Sequence, residues 1–274
     1  MRVVQEISSS KIQQFQQKIL EFYEKEGRHN LSFRQTTNPY HIHISEIMLS
    51  QTQVNRVEKY FTTWIETYPT LKDVVNAKNE KLLQHWQGLG YNSRVLHFKE
   101  ACTQILEKFN GEYPTSKDDL EKLKGVGSYV ASAICAFAFN QDIGVVDTNI
   151  RRILIYEGFA SESMSTKELE ETAQQIVPKG KGRDWNNALM DYGALKLTAL
   201  KSGVKSLGHQ SKFVGSSRYI RSFIVKECLH ASCCSIEKAK QECLKYYQNY
   251  DEIIEKMIVQ NIVYIEGDEI RIKN

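Results

Sequence analysis

One stretch of this chain, Leu123 to Asn149, constrains the rest: LKGVGSYVASAICAFAFNQDIGVVDTN. Two glycines flank a single residue, Gly125-Val126-Gly127. Lacking a Cβ, they let the backbone enter positive φ and let another chain come close. Ser128 predicts an N-cap, and Val130, Ala131, Ile134, Ala138 and Phe139 recur as the apolar face of a helix running to about Asn140. The amides of the turn and the helix N-terminus then converge on one point, where a phosphate is the natural ligand. A plain structural turn would use the same residues, so the pattern alone leaves both readings open.

What precedes the turn narrows the choice. No strand pattern leads into Gly125; Asp118 to Lys124 predicts a short helix, with Leu120 and Leu123 one turn apart. The strand-turn-helix context of a dinucleotide site is therefore missing. Helix, glycine turn, helix is the helix-hairpin-helix, which grips a DNA backbone without reading its sequence. Asp147 follows the apolar pair Val145-Val146 and stands directly before Thr148-Asn149 and a helix carrying Arg151 and Arg152. A carboxylate there either caps that helix or serves as a catalytic group at a pocket edge.

The other segments also read as helices. Ser8 to Ser10 cap one in which Ile12, Phe15, Ile19 and Phe22 recur, ending near Gly27, and Asn38-Pro39 starts another bearing Ile44, Glu46, Ile47 and Met48. Gln51 to Ile65 turns Val54, Val57, Phe61 and Trp64 inward; Lys81 to Trp86 is ended by Gly88 and Gly90, leaving Tyr91 in a loop. A helix through Val95, Phe98, Ala101, Ile105 and Leu106 closes at Gly111. Further on, Leu169, Ala173 and Ile176 mark a helix stopped by Pro178, and Trp185 to Leu197 marks another; both are expected to pack back on the N-terminal helix. Ser202 to Ser217 reads as a linker. Three amphipathic helices follow, Tyr219 to Leu229, Ser235 to Tyr246 and Asp251 to Gln260, then a hairpin from Ile262 to Ile272 around Gly267-Asp268. That order predicts a winged-helix-like module, which could hold DNA or only cap its neighbour.

Composition excludes a few classes. Over 274 residues, 41% hydrophobic and 25% charged content suits a globular chain. Neither a secretory leader nor an apolar run of membrane length is present, so the expected place is the cytoplasm with the nucleoid, or a nucleus, with no membrane partner. A net charge of +3 says little, but from Lys196 to Lys226 there are seven Lys or Arg and no Asp or Glu, a basic run suited to phosphates. Of the six cysteines, Cys102 and Cys135 lie on apolar helix faces, while Cys228, Cys233, Cys234 and Cys243 fall within the helical tail.

LKGVGSYVASAI followed by VVDTNIRRIL resembles the signature of the helix-hairpin-helix DNA glycosylase superfamily. Pro39-Tyr40, SEIMLSQTQV (Ser45 to Val54) and WQGLGYNSR (Trp86 to Arg94) are similar to MutY-type adenine DNA glycosylases, a likeness running with gaps from about Phe33 to Gly193 and resuming at Phe213 to Arg221. It implies an all-α, two-lobed glycosylase domain over residues 1–205, with a barrel lobe at about 33–140 and a second lobe from 1–32 and 141–205. Residues 206–274 would be linker and module.

By the same resemblance Glu46 is the acid that protonates the purine, Asp147 stabilises positive charge on the sugar, and Tyr129 and Asn149 orient the pair. Gln51 and Tyr91 match residues that wedge into the duplex, and Arg34, Gly125, Val126, Gly127 and Ser128 fall where the family touches DNA. Relatives that also nick the strand carry Lys at the Tyr129 position, so monofunctional hydrolysis is implied. The expected partner is double-stranded DNA with a mismatched or damaged base pair, bound by a monomer. Two departures stand out. Many relatives hold an iron–sulfur cluster through four cysteines after the Ala-Leu-Met-Asp-x-Gly segment, but Leu195 to Lys212 has none and Leu197 stands at the first ligand's place, so no metal or cofactor is expected. The roughly sixty residues after the linker are too few for the family's 8-oxoguanine-reading domain. The rival readings are a thymine or uracil mismatch glycosylase and a non-catalytic DNA-binding protein.

Overall fold

The computed structural model describes residues 8–205 and 212–274, and its chain divides into two units. The first comprises Met1–Glu46, Pro114–Lys122 and Val126–His209. Here Ser8 accepts from the Lys11 amide to start α1 (Ser9–Glu26), and α2 (Pro39–Leu49) contributes its residues up to Glu46. The remaining helices of the unit are α7 (Lys117–Glu121), α8 (Ser128–Phe137), α9 (Thr148–Tyr156), α10 (Thr166–Gln175), α11 (Gly182–Leu195) and α12 (Ala199–Ser202). The predicted return of the later helices to α1 holds: Phe15 and Ile19 share one core with Ile150, Ile153, Trp185 and Leu189, and Phe15 meets Trp185 edge-on at 5.5 Å. Helix α8 is buried on every side from Val130 to Phe137, as a helix without a polar face must be.

The second unit comprises Ile47–Tyr113, Leu123–Gly125 and Gln210–Asn274. Its helices α3 (Val54–Thr67), α4 (Leu71–Asn76), α5 (Asn79–Trp86) and α6 (Ser93–Lys108) close around Trp64, which lies 6.0 Å from Trp86 and 6.2 Å from Phe98 between ring centroids. Among these, α4 was not foreseen, although its reciprocal capping between Thr70 and Asp73 is written in the sequence. The tail follows its pattern closely: α13 (Ser217–Ala231), β1 (Cys234–Ser235), α14 (Ile236–Lys245), α15 (Tyr250–Val259), β2 (Val263–Glu266) and β3 (Glu269–Ile272). The strands form an antiparallel sheet in the order β1-β3-β2, and alternation along β3 turns Ile270 and Ile272 into the core. This module is fastened to the first turn of α5, where Asn79 Nδ2 donates to the Lys273 carbonyl at 2.6 Å and the Glu80 amide to Asn274 Oδ1 at 3.1 Å.

Several expected boundaries move. The division differs from lobes at 33–140 and at 1–32 with 141–205: α8 groups with the later helices and the tail module with residues 47–113. Helix α3 starts at Val54 rather than Gln51, because Gln51 takes a φ of 60° and cannot be helical. Gly127, not Ser128, caps α8, which ends at Phe137. Of the expected linker, residues 206–211 lie outside the described residues. Among the described residues no helix is long and apolar enough to cross a membrane.

Candidate active site

In the first unit α2 and α8 bring Glu46 and Tyr129 together. The Tyr129 hydroxyl donates to Glu46 Oε2 at 2.8 Å, and Glu46 is 5% exposed. Burial pushes the Glu46 carboxyl up to about 7; the Tyr129 hydrogen bond and the Arg34 cation pull the other way, and Asp147 adds to the rise. The carboxyl is therefore poised to hold or release a proton at neutral pH. Burial, with the Glu46 and Asp147 charges, holds the Tyr129 hydroxyl protonated well above its ordinary range, so it acts as a donor.

Asp147 caps a helix, one of the two readings its position allowed. As N-cap of α9 it accepts from the Ile150 amide at 2.7 Å through Oδ1. Its Oδ2 accepts from Asn149 Nδ2 at 2.9 Å. Burial raises the Asp147 carboxyl, while the Ile150 amide and Asn149 favour its charged form. The orientation of Asn149 is itself determined by Arg152, whose Nη2 donates to Asn149 Oδ1 at 2.8 Å. Arginine only donates, so the oxygen of Asn149 must face it and the amide NH2 must face Asp147. Arg152 also donates to the carbonyls of Gly193 at 2.9 Å and Leu197 at 3.0 Å. Sequence reasoning missed Arg152, although three residues past Asn149 on a helix is the same face.

Arg34, expected at the DNA, has an internal partner instead. Its guanidinium makes a two-pronged pair with Asp191 at 2.6 and 2.9 Å, and Arg28 binds the same carboxylate, leaving the Arg34 side chain 8% exposed. Burial would raise the Asp191 carboxyl, but its two arginines outweigh this and hold it below its ordinary value.

Of the two turn glycines only Gly125 takes the expected positive φ, and Gly127 is extended. Gly125 has a φ of 76°, and a Cβ there would lie 2.8 Å from His97 Cβ, so only glycine fits. Gly127 gives α8 no side-chain cap, which leaves the first amides of the helix open toward a phosphate. Ser128 donates its hydroxyl to Glu170 Oε1 at 2.8 Å.

In the second unit Gln51 and Tyr91 both sit at positive φ, 60° and 49°. One half-buried side chain, that of Arg94, holds both loops. Arg94 Nη1 donates to the carbonyls of Ile47 at 2.5 Å and Ser50 at 2.6 Å, and its Nη2 to those of Leu89 at 3.0 Å and Gly90 at 3.1 Å. Tyr91 remains 40% exposed, with the Arg94 guanidinium 5.5 Å from its ring centroid. The basic run is less uniform than its sequence implies: Lys196 pairs with Glu26 at 2.7 Å and Arg221 hydrogen bonds to Gln260.

Leu197 is 5% exposed and belongs to the core with Ile150 and Trp185. The thiols of the tail are engaged in its module, Cys228 donating to the Ile270 carbonyl at 3.2 Å. Burial pushes the Cys228 thiol up to about 12 and the Cys234 thiol to about 11.

Comparison with known proteins agrees with this arrangement. Residues 44–179 match the HhH-GPD superfamily of base excision DNA repair proteins. An adenine DNA glycosylase of Mycolicibacterium smegmatis is 33% identical over 196 residues, covering 70% of this chain and 67% of that protein. The chain belongs to the HhH-GPD superfamily. The adenine DNA glycosylase of Rattus norvegicus is 35% identical over 222 residues, covering 74% of this HhH-GPD chain and 43% of the rat protein. The chain thus spans about half or less of several curated relatives. Among solved structures, a thermostable thymine-DNA glycosylase is similar with a TM-score of 0.63 and 28% identity, covering 69% of this chain and 88% of that one. Endonuclease III in a non-covalent DNA complex is similar with a TM-score of 0.63 and 25% identity, covering 70% and 89%.

Proposed function

We propose that this HhH-GPD chain is a monofunctional DNA glycosylase that removes mispaired adenine, opposite guanine or 8-oxoguanine, by hydrolysing the N-glycosidic bond. The observation that carries the reading is the buried Glu46 carboxyl, pushed up to about 7 with Tyr129 donating to it. Adenine leaves poorly as an anion, and a carboxyl protonated near neutral pH can deliver the proton that makes it a neutral leaving group. Once deprotonated, Glu46 is placed to orient a water. Asp147, fastened by the Ile150 amide and Asn149, sets a negative charge toward the oxocarbenium-like sugar. Tyr129 offers no amine, so a Schiff base has no nucleophile at that position. All of these groups come from one chain, and a monomer suffices.

The name shared by the relatives supports adenine, and the thymine-DNA glycosylase likeness at 28% identity makes thymine the comparison to run. We further propose that the chain works without an iron–sulfur cluster, on the ground that Leu197, a core residue, stands where the first ligand would be.

The test is base release from duplexes carrying adenine opposite guanine, 8-oxoguanine or cytosine, and thymine or uracil opposite guanine. Adenine should be released, and Glu46→Gln should lose at least about a hundredfold in rate while still binding duplex. Release of thymine or uracil with adenine untouched would overturn the reading.

A further inference from the structure

The tail module places a cation at the tip of the expected wedge. Arg218, in the first turn of α13, donates from Nη1 to the Tyr91 hydroxyl at 3.3 Å, and its guanidinium lies 5.9 Å from the ring centroid. Tyr91 is not a casual surface residue. It follows Gly88 and Gly90, at φ of 95° and 73°, itself takes a φ of 49°, and is gripped from behind by Arg94. Nor does Arg218 hang from a loose appendage, because the module is hydrogen-bonded to α5 through Asn79 and Glu80. At the β2–β3 turn Glu266 and Glu269 pair with Arg271, whereas 212–226 carries Lys212, Arg218, Arg221 and Lys226 without an acid.

We propose that Arg218 reads the base left unpaired opposite the excised one, making the winged-helix-like module part of the DNA interface rather than a cap. This rests on the glycosylase reading above. A tyrosine that enters the stack brings its hydroxyl to the gap, and a guanidinium bonded to that hydroxyl arrives beside the orphaned base. Arginine has donors only. The 6-keto oxygen of guanine or 8-oxoguanine accepts from it, whereas the amino group of cytosine or adenine meets it donor to donor. Arg218 thereby favours a keto purine opposite the excised base.

Binding to duplexes with a tetrahydrofuran abasic analogue opposite guanine, 8-oxoguanine or cytosine reads this contact without requiring excision. The parent chain should prefer guanine and 8-oxoguanine. Arg218→Ala should lose about tenfold of that preference while binding the cytosine duplex nearly as before. Arg218→Lys, which keeps the charge but not the fork, should recover little, and Tyr91→Phe, which removes the hydroxyl that holds Arg218, should lie between. An equal loss on all three duplexes with a shallower salt dependence would make Arg218 a phosphate contact and overturn the proposal. So would an unchanged preference in Arg218→Ala, or a parent with no preference. If the orphan-base pattern appears but no base is ever released, the glycosylase reading fails alone; adenine release without the pattern sinks only the role of Arg218.

Discussion

A carboxyl held near pH 7 inside a protein is harmless when protonated and costly when ionised. Glu46 has a folded value of about 7 against an ordinary 4.5, so between those values the native state holds a proton that the unfolded chain has released. Its contribution to stability is fully present below about pH 4.5 and is lost as pH rises through 7, a difference of about 3 kcal/mol by the end. Glu46→Gln keeps the acceptor for Tyr129 but cannot ionise. Denaturant melts at pH 5 and pH 8 should show the parent losing stability relative to Glu46→Gln by roughly that 3 kcal/mol, while excision by the parent declines above pH 7. Parallel stability curves for the two proteins would show that the carboxyl is not perturbed. At this scale the pairings among motif residues were legible: Tyr129 hydrogen bonds to Glu46, and Asn149 to Asp147. Arg34 and Asp191 were not, because their partnership joins residues 157 positions apart and no local pattern records it.

Two loops that depart from regular structure are harder to hold than a helix, and the element that holds them is α6 through Arg94. Removing its guanidinium leaves the carbonyls of Ile47, Ser50, Leu89 and Gly90 short of donors. Arg94→Leu should cost roughly 3 kcal/mol or more in thermal melting and should loosen Gln51 and Tyr91 together. Limited proteolysis would then cut near both residues; cleavage confined to one loop would show that the clamp serves only that side. Apolar spacing found most of the long helices and the tail hairpin, because burial follows the same period as the sequence. It failed at Gln51, whose positive φ depends on Arg94 more than forty residues later. The Thr70–Asp73 cap of α4 was readable but lay among polar residues that carry no periodic signal.

For the molecule as a whole, the cofactor question is one of core chemistry. Arg152 joins Asn149, and through it Asp147, to the carbonyl of Leu197 by hydrogen bonds. Purified protein should contain no stoichiometric iron or acid-labile sulfide and should melt at the same temperature with or without an iron chelator. A visible absorption band with matching iron content would contradict this. The Arg94 clamp carries a different consequence. Its four hydrogen bonds all go to main-chain carbonyls, and those bonds do not depend on which side chains the two loops display. Positions 51 and 91 can therefore be varied among residues that tolerate positive φ without losing those hydrogen bonds, whereas position 94 cannot. A library that randomises Gln51 and Tyr91 over a constant Arg94 is the route by which this fold could be taught to answer to a new lesion.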